Sequence, residues 1–327
     1  MIGRRTLVAG AAAALLAPRL VRAQVRPPLV AYLSSTTADQ DTVLTGLLAG
    51  LADANYLPGR DFTLESRYSG GVVDRLVPLA RELVALRPGV IVVRSAPGVQ
   101  AAVAATGAIP IVATNIQDPV ATEIIGNNFA APKANVTGMF VPQVDLTGKL
   151  VGLMREMLPG VTPIGWINSP DSPLAADYAR VMDAAGRALN VPLVALEAIY
   201  PDDLDKAFAE FRRLKVSAIV VPALSLAGAE RQRVVRLAAE ARLPAAYGAA
   251  AYVTVGGLLA YGPDIVPQQR TVIAPYLIRI LKGAKPGELP VVNVDAFELA
   301  VNQKTATELG ITVPGSILAR ATTVIDA

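Results

Sequence analysis

Ser34 and Ser35, Ser95, Thr114 and Asn115, Asn168 and Ser169, and Ser225 each stand where a short apolar run gives out, and each brings a hydroxyl or amide that can donate and accept hydrogen bonds. Any one of them alone reads as a turn or cap residue. Gathered at one edge, they suit the reversible capture of a polar small molecule. Neither histidine nor cysteine occurs among the 327 residues, which excludes Ser-His-Asp and Cys-His catalysis, disulfides and the usual zinc ligands. No metal site and no cofactor is expected. One carboxylate stands out: Asp118 closes the stretch Ile109-Pro110-Ile111-Val112-Ala113-Thr114-Asn115-Ile116-Gln117. It can accept hydrogen bonds from a ligand amine or hydroxyl, or cap a helix that Pro119 starts, and the two roles can coexist. Tyr247 and Tyr252, near a strand end, are candidates for stacking on a ligand, whereas Trp166, inside an apolar run, reads as core.

The charge balance removes another class of partner. The formal net charge is +3, but Arg4, Arg5, Arg19 and Arg22 all precede Gln24 with no acidic residue among them. Without those four, 26 basic residues face 27 acidic ones, so nucleic acid has no concentrated basic face to meet. The same segment, residues 1–23, has the form of a secretory signal: Arg4-Arg5, an apolar stretch from Leu7 to Ala17, and Val21-Arg22-Ala23 as a small-residue cleavage site. That stretch is shorter than the roughly 20 residues a membrane span needs. The arginine pair resembles a twin-arginine signal, with an ordinary secretory signal as the alternative. No cysteine is present to carry a lipid anchor, so the mature chain is expected free in a periplasm.

Positioning the polar tips requires a particular order of elements. Apolar runs predict strands at 29–33, 90–93 and 109–113, each covered on both faces, and alternation predicts another at 61–68. Helices are expected between them, at 38–55 and over the face formed by Val73, Leu76, Val77, Ala80, Leu83 and Val84. The order βαβαβαβ predicts a parallel, doubly wound α/β sheet with its tips along one edge. A second series follows, with strands at 163–167, 192–199, 218–221, 244–247 and 258–261 and helices between them. Gly70-Gly71 and Gly256-Gly257 read as turns, since neither has the spacing of a nucleotide-binding loop.

Several segments, taken in order, resemble the type I periplasmic substrate-binding proteins of ABC transporters, in the branch that includes tryptophan- and aromatic-amino-acid-binding members. They are Ile109-Pro110-Ile111-Val112 with Asp118-Pro119-Val120, Asn135-Val136-Thr137-Gly138, Gly256-Gly257 through Gly262-Pro263-Asp264, Ile280-Leu281-Lys282-Gly283, and Phe297 through Ala306 with Leu309 through Pro314. The resemblance implies two Rossmann-like lobes with parallel sheets and a three-crossover hinge, the crossovers falling near Phe140, Tyr261 and Val294. Residues 24–140 with 262–293 would form the N-terminal lobe, and 141–261 with 294–327 the C-terminal lobe. On that plan Ser95-Ala96-Pro97 and Asn115 to Asp118 line one wall of the cleft, and Asn168-Ser169 with Pro222 to Ser225 line the other. Amino-acid-binding members carry an acidic residue in the latter loop, where this chain has Ala223-Leu224-Ser225, which favours a less charged or more apolar ligand.

The function expected is therefore non-enzymatic: an extracytoplasmic monomer that captures a small organic solute, aromatic or amino-acid-like, and passes it to an ABC permease and its ATPase in the inner membrane. A sensory module for a membrane kinase is the alternative within binding proteins. A secreted hydrolase using carboxylates such as Asp118 with Asp264 or Glu123 is the alternative among enzymes.

Overall fold

In a computed structural model, the structure describes residues 26–117, 120–126, 128–133 and 135–326. The expected signal segment, Asp118 and Pro119 lie outside the described residues. Five strands come first: β1 (Leu29–Ser34), β2 (Thr63–Tyr68), β3 (Val90–Val93), β4 (Ile111–Ile116) and β5 (Val136–Phe140). Next come β6 (Ile164–Asn168), β7 (Leu193–Glu197), β8 (Ala218–Val221), β9 (Ala245–Tyr247) and β10 (Leu259–Pro263). The last three are β11 (Val292–Asn293), β12 (Phe297–Asn302) and β13 (Thr323–Ile325).

They form two sheets. The first has six strands in the order β11-β5-β4-β3-β1-β2, every pair parallel. The second has seven, β13-β12-β10-β9-β8-β6-β7, parallel throughout except for β10 against β12. The chain thus passes between sheets three times: from β5 to β6, from β10 to β11, and from β11 to β12.

The apolar runs form strands because both of their faces are covered. In the first sheet Ala31, Leu33, Ile91, Val93, Ile111 and Ala113 pack with the helices α2 (Leu76–Ala85) and α3 (Ala96–Ala105). Their alternates Val30, Tyr32, Val90, Val92 and Val112 pack on the other face, against α1 (Thr42–Asp53) and the helix Ala274–Leu281. This is the period of two that a pleated strand imposes on its side chains. The second sheet has its own core, and Ala96 and Val120 from the first half pack into it.

Two departures from the sequence reading bear on the site. β4 extends to Ile116, beyond the apolar run, because β5 continues to pair with it across a shift in register between Ala113 and Ile116. Thr114 and Asn115 are therefore strand residues. At the facing position Gly138 has φ +139°, and a Cβ there would lie 1.9 Å from the Ala113 carbonyl oxygen, so only glycine lets the two strands approach. The second departure lies between β8 and β9, where the sequence predicts helix and the structure has two short ones, α4 (Ser225–Ala229) and α5 (Arg231–Glu240), that meet at Glu230.

Candidate functional site

The carboxyl ends of the two sheets face each other across a cavity of about 200 Å³, small for a ligand pocket but adequate for one small solute. From the first half come Ser35 and Thr36 after β1, Arg94, Ser95 and Ala96 after β3, Asn115 from β4 and Gln117 just after it. The second half supplies Ser172, Leu174 and Tyr178 after β6, Ser225 and Arg231 after β8, and Ala249 to Tyr252 after β9. Asp264 and Glu298 stand at the crossings between the sheets and line the cavity as well. Gln143, just past the first crossing, donates from Nε2 to the Gly248 carbonyl at 3.1 Å and so anchors the start of its helix within the second half. The halves also touch through Gly71, whose position leaves no room for a Cβ: one would lie 2.7 Å from Leu226 Cα.

Of the tip residues expected in the site, Ser35, Ser95, Ala96, Asn115 and Ser225 line the cavity, while Ser34, Thr114, Asn168, Ser169 and Tyr247 do not. Strand alternation explains the first two. Within a strand successive side chains take opposite faces, and Ser34 and Thr114, the strand residues that turn away, are fully buried beside their lining neighbours. Ser34 Oγ accepts from the Thr36 backbone N–H. Ser169 is used locally, its hydroxyl 2.8 Å from Asp171 Oδ1. Tyr247 lies behind Tyr252, the rings stacked at 4.6 Å between centroids and 10° apart, so it supports a lining residue from outside the cavity. Asp118 lies outside the described residues. The described carboxylates that line the cavity are Asp264 and Glu298, which the crossings bring in; Glu298 Oε1 accepts from the Thr323 hydroxyl at 2.7 Å.

The lining residues without a signal in the sequence are the cations and a helical tyrosine. Arg94 follows β3, as the polar tip does, and its Nη1 donates to Asp41 Oδ1 at 3.1 Å. Asp41, with 1% of its side chain exposed, caps α1 by accepting from the Leu44 N–H at 3.1 Å and takes the Tyr32 hydroxyl on Oδ2 at 2.9 Å. Burial, reinforced by the Asp41 charge, pushes the Tyr32 hydroxyl well above its ordinary pKa.

Across the cleft the situation is reversed. Tyr178 and Tyr252 are buried with hydroxyls that meet no hydrogen-bond partner, and Arg231 Nε is buried without one too; on the first side, Asn115 Oδ1 is the lining atom in the same state. Burial raises both tyrosine pKa values, so these hydroxyls keep their protons. Burial also lowers that of the Arg231 guanidinium; Arg94 adds to this, while Tyr252 and Asp39 oppose it. A buried polar group without a partner costs roughly 1 to 3 kcal/mol. Several such groups facing one cavity mark a place where another molecule supplies the partners. Among the described residues no group of acidic or other metal-binding side chains could hold a metal ion, and no helix is long and apolar enough to cross a membrane.

Known proteins of the same build are similar across nearly the whole chain. The Tyrosine-binding protein of Clostridioides difficile (strain R20291) is 22% identical over 269 residues, covering 82% of this chain and 76% of that protein. The crystal structure of a conserved domain protein from Vibrio cholerae is 28% identical, covers 91% of this chain and 99% of its own, and superposes with a TM-score of 0.81. An ABC domain from Streptococcus pneumonia in complex with L-Trp shares the fold, with a TM-score of 0.80, 24% identity and coverage of 91% and 100%. The family model described as ABC transporter substrate binding protein matches residues 31–325, and the chain belongs to that family.

Proposed function

We propose that the exported chain captures a small organic solute between two lobes and delivers it to an ABC permease and its ATPase, without transforming it. The observation that carries this reading is the set of buried, unpartnered groups converging on one cavity: Asn115 Oδ1, Tyr178 Oη, Arg231 Nε and Tyr252 Oη. Family membership supports it. The relatives named for tyrosine or bound to L-Trp make aromatic amino acids the first ligands to try. The lobes are assigned as residues 24–140 with 262–293 and 141–261 with 294–327. The three passages of the chain between sheets support a hinge at which these lobes close on ligand.

Thermal unfolding of the purified protein against aromatic amino acids, other amino acids and small carboxylates tests capture. A ligand at 100 times its dissociation constant adds about 2.7 kcal/mol. A panel that stabilises nothing, while one member is turned over, overturns the reading. Uptake of the stabilising compound is expected to disappear on deletion of the gene and to return on complementation. Export is tested separately. The secreted protein is expected to begin at Gln24, and replacing Arg4 and Arg5 together by lysine is expected to stop export if the twin-arginine route is used.

A further inference from the structure

Arg231 and Arg233 lie two positions apart at the start of α5, and at about 100° per residue they point to nearly opposite sides of the helix. Their surroundings differ accordingly. Arg233 gathers three carboxylates, Asp202, Asp205 and Glu230. Arg231 faces the cavity, its Nε is shielded from solvent without an acceptor, and no carboxylate among the described residues comes within ion-pair distance. The other guanidinium on the cavity, Arg94, already holds Asp41.

From this contrast, and resting on the solute-binding reading above, we propose that Arg231 is the specificity-determining residue for a carboxylate on the ligand. A carboxylate is the complement of a guanidinium in charge and in its planar pair of acceptors. The neighbouring donors fit the same group: Tyr178 and Tyr252 present protonated hydroxyls to the cavity, and hydrogen bonds from neutral donors spread the remaining lone pairs of a carboxylate. A buried donor without an acceptor costs roughly 1 to 3 kcal/mol, so the unliganded protein holds Arg231 Nε at a disadvantage that the ligand removes. Asp264 and Glu298, on the same cavity at the crossings, are placed to meet an ammonium. Amino acids and simple acids therefore share the carboxylate chemistry and differ only at that end.

The test uses the full mature protein and four probes that differ at one group: L-tyrosine, 3-(4-hydroxyphenyl)propionate without the ammonium, tyramine without the carboxylate, and L-tyrosinamide with the carboxylate neutralised. Binding is followed by calorimetry in wild type, Arg231→Met and Arg231→Lys. The expected result is that at least one of the two acids binds wild type 100-fold or more tightly than tyramine or the amide. Arg231→Met should cut that preference at least tenfold, Arg231→Lys less, and the melting temperature of unliganded Arg231→Met should match or exceed wild type. A fall in melting temperature with the acid preference intact assigns Arg231 a packing role and overturns the proposal. Tyramine or the amide binding as tightly as the acids also overturns it, while leaving solute capture standing. If none of the four binds, the proposal falls, and capture of aromatic solutes falls with it. If the two acids bind, their ratio shows whether an ammonium is also recognised.

Discussion

Tyr32, Asp41 and Arg94 behind one wall of the cleft, and Tyr178, Tyr252 and Arg231 on the other, are similar sets of side chains in opposite states. In the first set the carboxylate of Asp41 receives the phenol, the guanidinium and a helix N–H, so the set is closed on itself. The second set contains no acid, and its two hydroxyls and a guanidinium nitrogen are buried without partners. The presence of one aspartate separates a set that is closed from a set that is open, although Asn115 Oδ1 on the first wall is open as well. A binding protein benefits from this asymmetry. A satisfied set keeps its shape, and orphaned groups on a cavity favour the occupied state over the empty one.

The largest effect is expected where the closed set is broken. Asp41→Ala removes the common partner of Tyr32, Arg94 and the α1 cap, and should lower unfolding free energy in urea by about 3 kcal/mol. The matching change on the other wall, Tyr178→Phe, removes a hydroxyl that has no partner and should leave stability equal or slightly higher. Equal losses from the two variants would end the distinction between the sets.

Closure comes next. Gly71 combines φ +85° with a Cβ position 2.7 Å from Leu226 Cα and 3.0 Å from Ala229 Cβ, so any side chain there is both strained and in the way of α4. Gly71→Val is expected to hold the halves apart, weakening any ligand by roughly tenfold, or about 1.4 kcal/mol. The radius of gyration in solution, measured by small-angle scattering at saturating ligand, should exceed that of wild type. An unchanged radius and affinity would show that this contact is not needed for closure.

How far the sequence revealed this arrangement depends on which element carries each residue. The strands of both sheets were legible because runs such as Val90-Ile91-Val92-Val93 and Ala218-Ile219-Val220-Val221 are covered on both faces, and their polar ends announced where the tips would be. Which member of a tip pair faces the cleft was not legible, because it depends on strand register: Asn115 lines the cavity and Thr114 does not. Tyr178 and Arg231 gave no local signal at all. Each sits on a helix, and its direction is fixed only when that helix packs on the sheet. Asp264 and Glu298 belong to the crossings, so they reach the cavity only when the second sheet has formed around β10 and β12.

Tyr252→Phe sharpens the comparison at the level of one hydroxyl. The stabilisation conferred by a bound carboxylate should shrink by about 1 kcal/mol, with the empty protein no less stable than wild type, since Tyr252 Oη has no partner to lose. Loss of stability in the empty protein would mean that the hydroxyl is already engaged there.

Between pH 6 and 9 the smallest effect is that of pH itself. Burial holds the Tyr178 hydroxyl above its ordinary pKa in the folded chain, whereas the unfolded chain titrates near 10. Below about 10 both states keep the proton, so the stability difference between wild type and Tyr178→Phe should stay constant from pH 6 to 9. Above that point the unfolded wild-type chain releases a proton that the folded one retains. Its stability then falls relative to the variant by up to about 1.4 kcal/mol per pH unit. Urea unfolding of the pair at intervals from pH 6 to 11 measures the difference directly. A difference that already changes near pH 8 would mean that Tyr178 ionises in the folded cleft, and the donor wall would then lose its ability to hold an anion at that pH.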